Sequence, residues 1–461
     1  MRPRQWRRST HLVVGAAVLA VVASAVATAA VLVAGHHRTS AADTVPPPPA
    51  ATPSPGVVPV TDSAVVPTAA GLAAVLAGPL ADPDLGRLTG RVTDALTAAE
   101  LWQQQDDVPM QPASTDKTLT SAAALLALDP SARLTTRVVA ANQPGVIVLV
   151  GGGDPILSAA PPGEPTWYPG AARISDLADQ VRRSGAAATT VQVDTSAFSG
   201  PTTAPGWDPM DIEGGDVAPI ESVMLDAGRV QPTTIESTRS WTPALDAGRA
   251  LAAALGLDPD AVTIAAGPAP PGARQLAAVQ SAPLSIRLHE MMDASDNVMA
   301  ECIGREVAAA MQRPRSFAGA VEAVTSRLDL AHIDTRHATL MDSSGLSVDD
   351  RLTAKILDGV VQAAAGPGQP ALRPLLDLLP IAGGSGTLSE RFQGSAAVGG
   401  PAGWLRAKTG SLTATNALAG VVTDRSGRVL TFALISNDAG PTGRTAIDAV
   451  ATALWSCGCA Q

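Results

Sequence analysis

Three short stretches carry side chains whose types and spacing suit nucleophilic catalysis. The first is Ser114-Thr115-Asp116-Lys117, a hydroxyl and an amine three positions apart. An i, i+3 pair shares one face of a helix, so the two groups can meet. A hydroxyl attacks a carbonyl only when something takes its proton, and a buried lysine beside another cation can be neutral enough to do so. At a helix N-terminus, free backbone N–H groups would also stabilise an oxyanion. The second stretch, Ser295-Asp296-Asn297, offers a hydroxyl and an amide together. The third, Arg406-Ala407-Lys408-Thr409-Gly410-Ser411, can present a cation and hydroxyls to a substrate carboxylate. Its Gly410 would let another backbone approach closely.

A serine and lysine at this spacing usually mean nothing. Here the cation usage of the chain gives them weight. Of 32 basic residues in 461, only Lys117, Lys355 and Lys408 are lysine, and the rest are arginine. Two of these three fall in the first and third stretches, with the second lying between them. Arginine stays charged in proteins, whereas lysine can lose its proton. Lys355, in Arg351-Leu352-Thr353-Ala354-Lys355, reads as a solvated helix face.

The elements that must hold these groups follow from the apolar periodicity. A helix over 114–128 is expected to carry Ser114 and Lys117, closed by Asp129-Pro130. Ahead of it come a helix at 70–82 and hairpin strands at 90–94 and 99–104. Strands at 137–140 and 146–150 follow, the second running into Gly151-Gly152-Gly153-Asp154-Pro155, then a helix at 174–184 and a strand at 190–193. Gly, Pro and Thr are frequent in 199–243, which reads as loops and short strands. Helices at 244–255, 285–293 and 297–311 come next, and the last two flank the second stretch. Lys408 sits ahead of a hairpin at 417–423 and 429–436, on an expected edge strand, and a helix at 443–455 ends the chain. This order predicts an α+β fold rather than a doubly wound sheet.

Composition excludes several functions. The net charge is -10, so there is no basic excess to neutralise nucleic-acid phosphates. Aromatic residues are 3%, which leaves little for stacking on bases or sugars and predicts cores of Ala, Leu, Val and Ile. No G-x-S-x-G elbow and no phosphate-cradling G-x-x-x-x-G-K loop occurs. His289-Glu290 begins like a zinc-protease motif, but Asp293 stands where the second histidine belongs. No metal and no cofactor are expected.

Arg2, Arg4, Arg7 and Arg8 precede an uncharged stretch from Leu12 to Gly35. A helix of that length would rise about 36 Å, enough to span a bilayer, and the positive flank would stay cytoplasmic. Residues 1–40 therefore read as a membrane anchor or as a signal peptide cleaved near Ala25-Val26-Ala27, and the rest is exported. Residues 41–69, with eight prolines between Pro46 and Pro67, form an extended linker. Outside the cytoplasm a disulfide is plausible, and Cys302 with Cys457 or Cys459 is the expected pair.

Taken together, the three stretches match the signature of penicillin-binding proteins and serine β-lactamases. Other segments narrow the resemblance: Leu149-Val150-Gly151-Gly152-Gly153-Asp154-Pro155, Asp342-Ser343-Ser344-Gly345-Leu346-Ser347 and Gly384-Ser385-Gly386-Thr387-Leu388. With Pro112-Ala113-Ser114 and Ala407-Lys408-Thr409-Gly410, the chain resembles the D-alanyl-D-alanine carboxypeptidase/endopeptidase family, the class C low-molecular-mass penicillin-binding proteins (peptidase family S13). Ser114 and Ser295 are 295 − 114 = 181 positions apart, room for the inserted domain this family is known for. A Glu-x-x-Leu-Asn deacylation motif is absent, and the only tyrosine, Tyr168, lies in the insertion, away from any tyrosine-based second motif. Ser411 stands where the family usually has threonine, and 230–243 is short where many relatives carry a further nested domain.

The resemblance implies an antiparallel sheet with flanking helices in a penicillin-binding domain made of 70–131 and 276–461, split by one inserted domain at 132–275. It implies a serine-type D-Ala-D-Ala carboxypeptidase, with endopeptidase activity open, acting on peptidoglycan stem peptides and acylated by β-lactams. Ser114 would attack the penultimate D-Ala carbonyl and Lys117 take its proton. Ser295 and Asn297 would relay that proton and hold the peptide amide. Lys408, Thr409 and Ser411 would bind the terminal carboxylate beside Gly410, and the backbone N–H groups of Ser114 and Ser411 would form the oxyanion hole. A β-lactamase and a catalytically weak wall-binding scaffold are the rival readings.

Overall fold

Strand alternation decides the architecture of the half that carries the three stretches. In the computed structural model, which describes residues 63–234, 237–393 and 400–459, helix α1 (Ala69–Leu80) is followed by β1 (Arg87–Asp94) and β2 (Glu100–Gln104). The uncharged stretch at 12–35 and the prolines up to Pro59 lie outside the described residues. Among those described, no helix is long and apolar enough to cross a membrane. Next comes α2 (Lys117–Ala127), buried along its first eight residues. Then follow β3 (Thr135–Ala140), β4 (Val146–Val150), β5 (Asp154–Leu157), α3 (Ile174–Arg183), β6 (Thr190–Asp194) and β7 (Val223–Leu225). After these run α4 (Pro243–Leu255), β8 (Thr263–Ile264), β9 (Gln275–Gln280), α5 (Leu284–Ala294), α6 (Asn297–Ala310), α7 (Phe317–Asp329) and α8 (Ala354–Ala365). The chain ends with β10 (Leu405–Leu412), β11 (Thr415–Thr423), β12 (Val429–Asn437) and α9 (Gly443–Ser456).

The main sheet has the order β10-β11-β12-β1-β2 and is antiparallel throughout. The last hairpin thus pairs with the first, closing one sheet across the whole described chain. Side chains of period 2 split between its faces. Leu418, Val422, Leu430, Phe432 and Leu434 face α1 and α9, while Ala417, Ala419, Ala433 and Ile435 face the cluster built by α2, α6, α7 and α8. Alanines on the second face let the helices approach closely, as the aromatic-poor composition requires.

A second sheet, β8-β6-β4-β3-β9, lies within the segment between the first two stretches. Its β9 extends past the expected domain boundary at 275. Here β4–β6 and β6–β8 are parallel. Such pairs need crossover connections, and α3 and α4 lie in them. The expectation of an α+β fold describes the main sheet, and this inserted sheet adds a small α/β element that short strands around an amphipathic helix could have signalled.

The cysteines pair differently from the expectation. Cys457 and Cys459 form a disulfide, with Cα atoms 5.0 Å apart, and Cys302 is free and buried. Cys302 sits in α6 on one side of the main sheet and Cys457 in the core on the other, so the sheet separates them.

Candidate active site

The backbone before α2 is not yet α-helical at Ser114. Ala113–Asp116 forms a 3₁₀ turn, and the α-helix begins at Lys117, later than the 114 expected. A 3₁₀ turn stacks residue i over i+3, which suits a serine–lysine pair better than an α-turn does. Lys117 Nζ lies 2.9 Å from Ser114 Oγ, and it also donates to Asn297 Oδ1 and, at 2.8 Å, to the Ser344 carbonyl. An ammonium has three hydrogens and would use all three. The neutral amine keeps the amide and the carbonyl for its two hydrogens and turns its lone pair to Ser114 Oγ. That is the arrangement of a base poised on a nucleophile.

Lys117 is fully buried. Burial pulls its pKa down to about 8, against the raising influence of Asp342, Asp296, Glu301 and Asp116. A substantial neutral fraction is therefore present in mildly alkaline water. The Asp342 carboxylate accepts from the Ser344, Gly345 and Ser347 backbone N–H groups and from Trp207 Nε1, so it folds the loop whose Ser344 carbonyl meets Lys117.

Asp116, Asp342 and Asp350 bring their carboxylate oxygens within 4.8 Å of one another, the one group among the described residues close enough to suggest a metal. Burial, then Asp342, raises Asp116 well above the carboxylate range and Asp350 to about 11. Carboxyl groups packed this closely hold their protons more tightly than free ones.

The second stretch forms the joint between two helices. Ser295 is the left-handed C-cap of α5, with φ 59°, and Asp296 is the N-cap of α6, its carboxylate accepting from Met299 N at 2.9 Å. Asn297 opens α6 and donates its amide to the Asp216 carbonyl at 3.0 Å. The third stretch is the edge strand β10, as expected. Lys408 Nζ donates to Ser295 Oγ at 2.8 Å and to the Thr409 carbonyl at 2.9 Å, and Thr409 Oγ1 donates to Thr387 Oγ1 at 2.8 Å. Burial, then Lys117, holds the Lys408 pKa well below its ordinary value, opposed by Asp293. A carboxylate anchor alone would tolerate arginine. A fully buried nitrogen touching a serine hydroxyl calls for the slimmer side chain, whose proton can also move.

Ser411 is exposed beside Gly410. At Gly410 a Cβ would stand 2.7 Å from the Pro112 carbonyl and 3.1 Å from Ala113 Cβ, so β10 runs directly against the turn bearing Ser114. Ala113 itself has φ 48°, and Gly345, at φ 76°, would place a Cβ 1.9 Å from its carbonyl. Gly410→Ala is expected to push strand and turn apart, costing about 1–3 kcal/mol of stability and slowing acylation more than tenfold. Thermal unfolding and stopped-flow acylation check it.

The structure thus brings Ser114, Lys117 and Asn297 into one hydrogen-bonded set, and Lys408 with Ser295 into another, with Thr409 and Gly410 on the same strand. Sequence reasoning did not single out Ser344 and Thr387 for a role, although both lie in segments quoted for the resemblance. It also missed the Asp216 carbonyl and Tyr168, which carry no local signal.

Residues 72–239 and 232–454 match the D-Ala-D-Ala carboxypeptidase 3 (S13) family, and residues 1–59 match the Carboxypeptidase Rv3627c-like N-terminal domain. The chain is similar to carboxypeptidase Rv3627c of Mycobacterium tuberculosis, at 69% identity over 100% of both chains. It is also similar to carboxypeptidase DacB of Mycolicibacterium smegmatis, at 67% identity over 100% of both. Among solved structures, penicillin binding protein 4 (dacB) from Haemophilus influenzae shares the fold with a TM-score of 0.67, at 22% identity over 84% of this chain and 98% of that one.

Proposed function

The chain belongs to the D-Ala-D-Ala carboxypeptidase 3 (S13) family of hydrolases, and on that premise we propose that Ser114 is its nucleophile, acylated by stem peptides ending in D-Ala-D-Ala. The observation that carries this reading is the buried Lys117 amine, 2.9 Å from Ser114 Oγ with its other partners already acceptors. Neutral Lys117 takes the serine proton as Oγ attacks the penultimate D-Ala carbonyl. The backbone N–H groups of Ser114 and Ser411 stabilise the oxyanion. The proton that Lys117 took then passes by way of the Ser295 hydroxyl, which Lys408 orients, to the departing D-Ala amine as the C–N bond breaks. Lys408, Thr409 and Ser411 hold the terminal carboxylate, and Asn297 orients the peptide amide. Water then gives a proton to Lys117 as it attacks the acyl carbonyl, and Ser114 Oγ takes that proton back as the ester bond breaks and the shortened peptide leaves.

A β-lactam presents an amide carbonyl and a carboxylate in similar relation, so penicillin acylates Ser114 too. The substrate lies in the cell wall, which agrees with the arginine-led uncharged stretch at 12–35 as an export signal or anchor.

Incubation of the purified protein with a pentapeptide ending in D-Ala-D-Ala is expected to release D-Ala, while an L-Ala-terminated peptide yields none. Equal cleavage of both would remove the proposed specificity. Cross-linked muropeptides in the same assay decide whether endopeptidase activity accompanies it. Rapid turnover of penicillin, in place of a lasting acyl-enzyme, would favour a β-lactamase.

A further inference from the structure

The second stretch is held by groups outside the three motifs. The single tyrosine of the chain, Tyr168, lies between β5 and α3 in the inserted segment and is 2% exposed. Its hydroxyl donates to Asp296 Oδ2, 128 positions away in sequence. The other oxygen of that carboxylate caps α6 through Met299 N. Asp296 is thus tied on both sides, and it stands between Ser295 and Asn297. From the same inserted segment the Asp216 carbonyl takes the Asn297 amide.

We propose that Tyr168 is a positioning residue for catalysis: through Asp296 it locks the joint that aims Ser295 at Lys408 and Asn297 at Lys117. This rests on the reading of Ser114 as nucleophile given above. Ser295 has a left-handed backbone without being glycine, so the joint keeps that conformation only while its surroundings hold it. Asn297 Nδ2 on Asp216 leaves Oδ1 facing Lys117, and this orientation depends on the start of α6 staying where the Asp296 cap puts it. The Tyr168 hydroxyl touches neither lysine, and its effect is transmitted through one carboxylate. By this account the inserted segment is part of the proton-transfer machinery.

Tyr168→Phe removes one oxygen and keeps the ring. Loss of a hydrogen bond to a charged group is expected to lower kcat for D-Ala release, and the acylation rate with penicillin, roughly tenfold. KM should change less than about twofold, because no group that binds the peptide is removed. Ser158→Ala is the comparison variant. Ser158 is also buried in the inserted segment, and its hydroxyl meets Asp226, away from the joint. It should lose some thermal stability yet acylate as the wild type does. In an Asp296→Ala background, which leaves the Tyr168 hydroxyl no carboxylate to reach, Tyr168→Phe should add less than about a twofold further effect. Wild-type acylation in Tyr168→Phe would overturn the proposal, as would effects that simply multiply in the double variant. Mass-spectrometric location of the penicillin adduct on Ser114 of the wild type separates the two ideas. With the adduct there and Tyr168→Phe fully active, only the positioning role falls. With the adduct elsewhere, the nucleophile assignment falls as well.

Discussion

Ser114→Ala is expected to take up no fluorescent penicillin and to release D-Ala slower than the wild type by a factor on the order of 10⁴ to 10⁶. The size follows from the covalent route. Without the hydroxyl there is no acyl-enzyme, and what remains is binding and the oxyanion donors alone. Among the described residues, Ser114 Oγ is the hydroxyl that Lys117 Nζ reaches, so no neighbouring group can substitute. The variant should fold, because Ser114 is only half-buried and the core under the turn rests on Ala113, Thr115 and α2. Gel fluorescence after penicillin labelling, with circular dichroism as the folding check, decides it. Labelling that persists in this variant would sink the nucleophile assignment.

The second large effect concerns Lys117. Its pKa is lowered to about 8 by burial, so the active neutral form is the one favoured as pH rises. Acylation should climb about tenfold per pH unit below pH 7, reach half its maximum near pH 8 and level off about one unit higher. Lys117→Arg cannot supply a neutral base, since guanidinium keeps its proton, and it should acylate 10²- to 10⁴-fold more slowly across the range. The measurement is stopped-flow acylation at fixed penicillin concentration over a pH series. A rate independent of pH from about 5 to 9 would mean that another group takes the proton.

Much of this site could be read in the sequence because its decisive pairs are local or repeat with the element. Ser114 and Lys117 are neighbours by spacing. Thr409 and Ser411 alternate on one strand, and Ser295 to Asn297 bridge two helices that the apolar pattern predicts. The scarcity of lysine marked Lys117 and Lys408, both of which the structure buries completely. It left Lys355 as a solvated residue, and Lys355 is exposed on α8. The helix was expected to begin at 114, but the chain there follows a 3₁₀ turn. Periodicity alone does not distinguish the two in so short a stretch.

The sequence by itself determined which groups exist, which of them are local neighbours, and that the last two strands form an antiparallel hairpin in an α+β chain. Only the tertiary structure decided the long-range partners: Tyr168 on Asp296, Asp216 on Asn297 and Ser344 on Lys117, the last 227 positions apart. It also decided that Cys457 pairs with Cys459 because the main sheet stands between them and Cys302. The reason is physical. Spacing fixes geometry within a turn or along a strand, whereas contacts across a hundred residues depend on how all the elements pack at once.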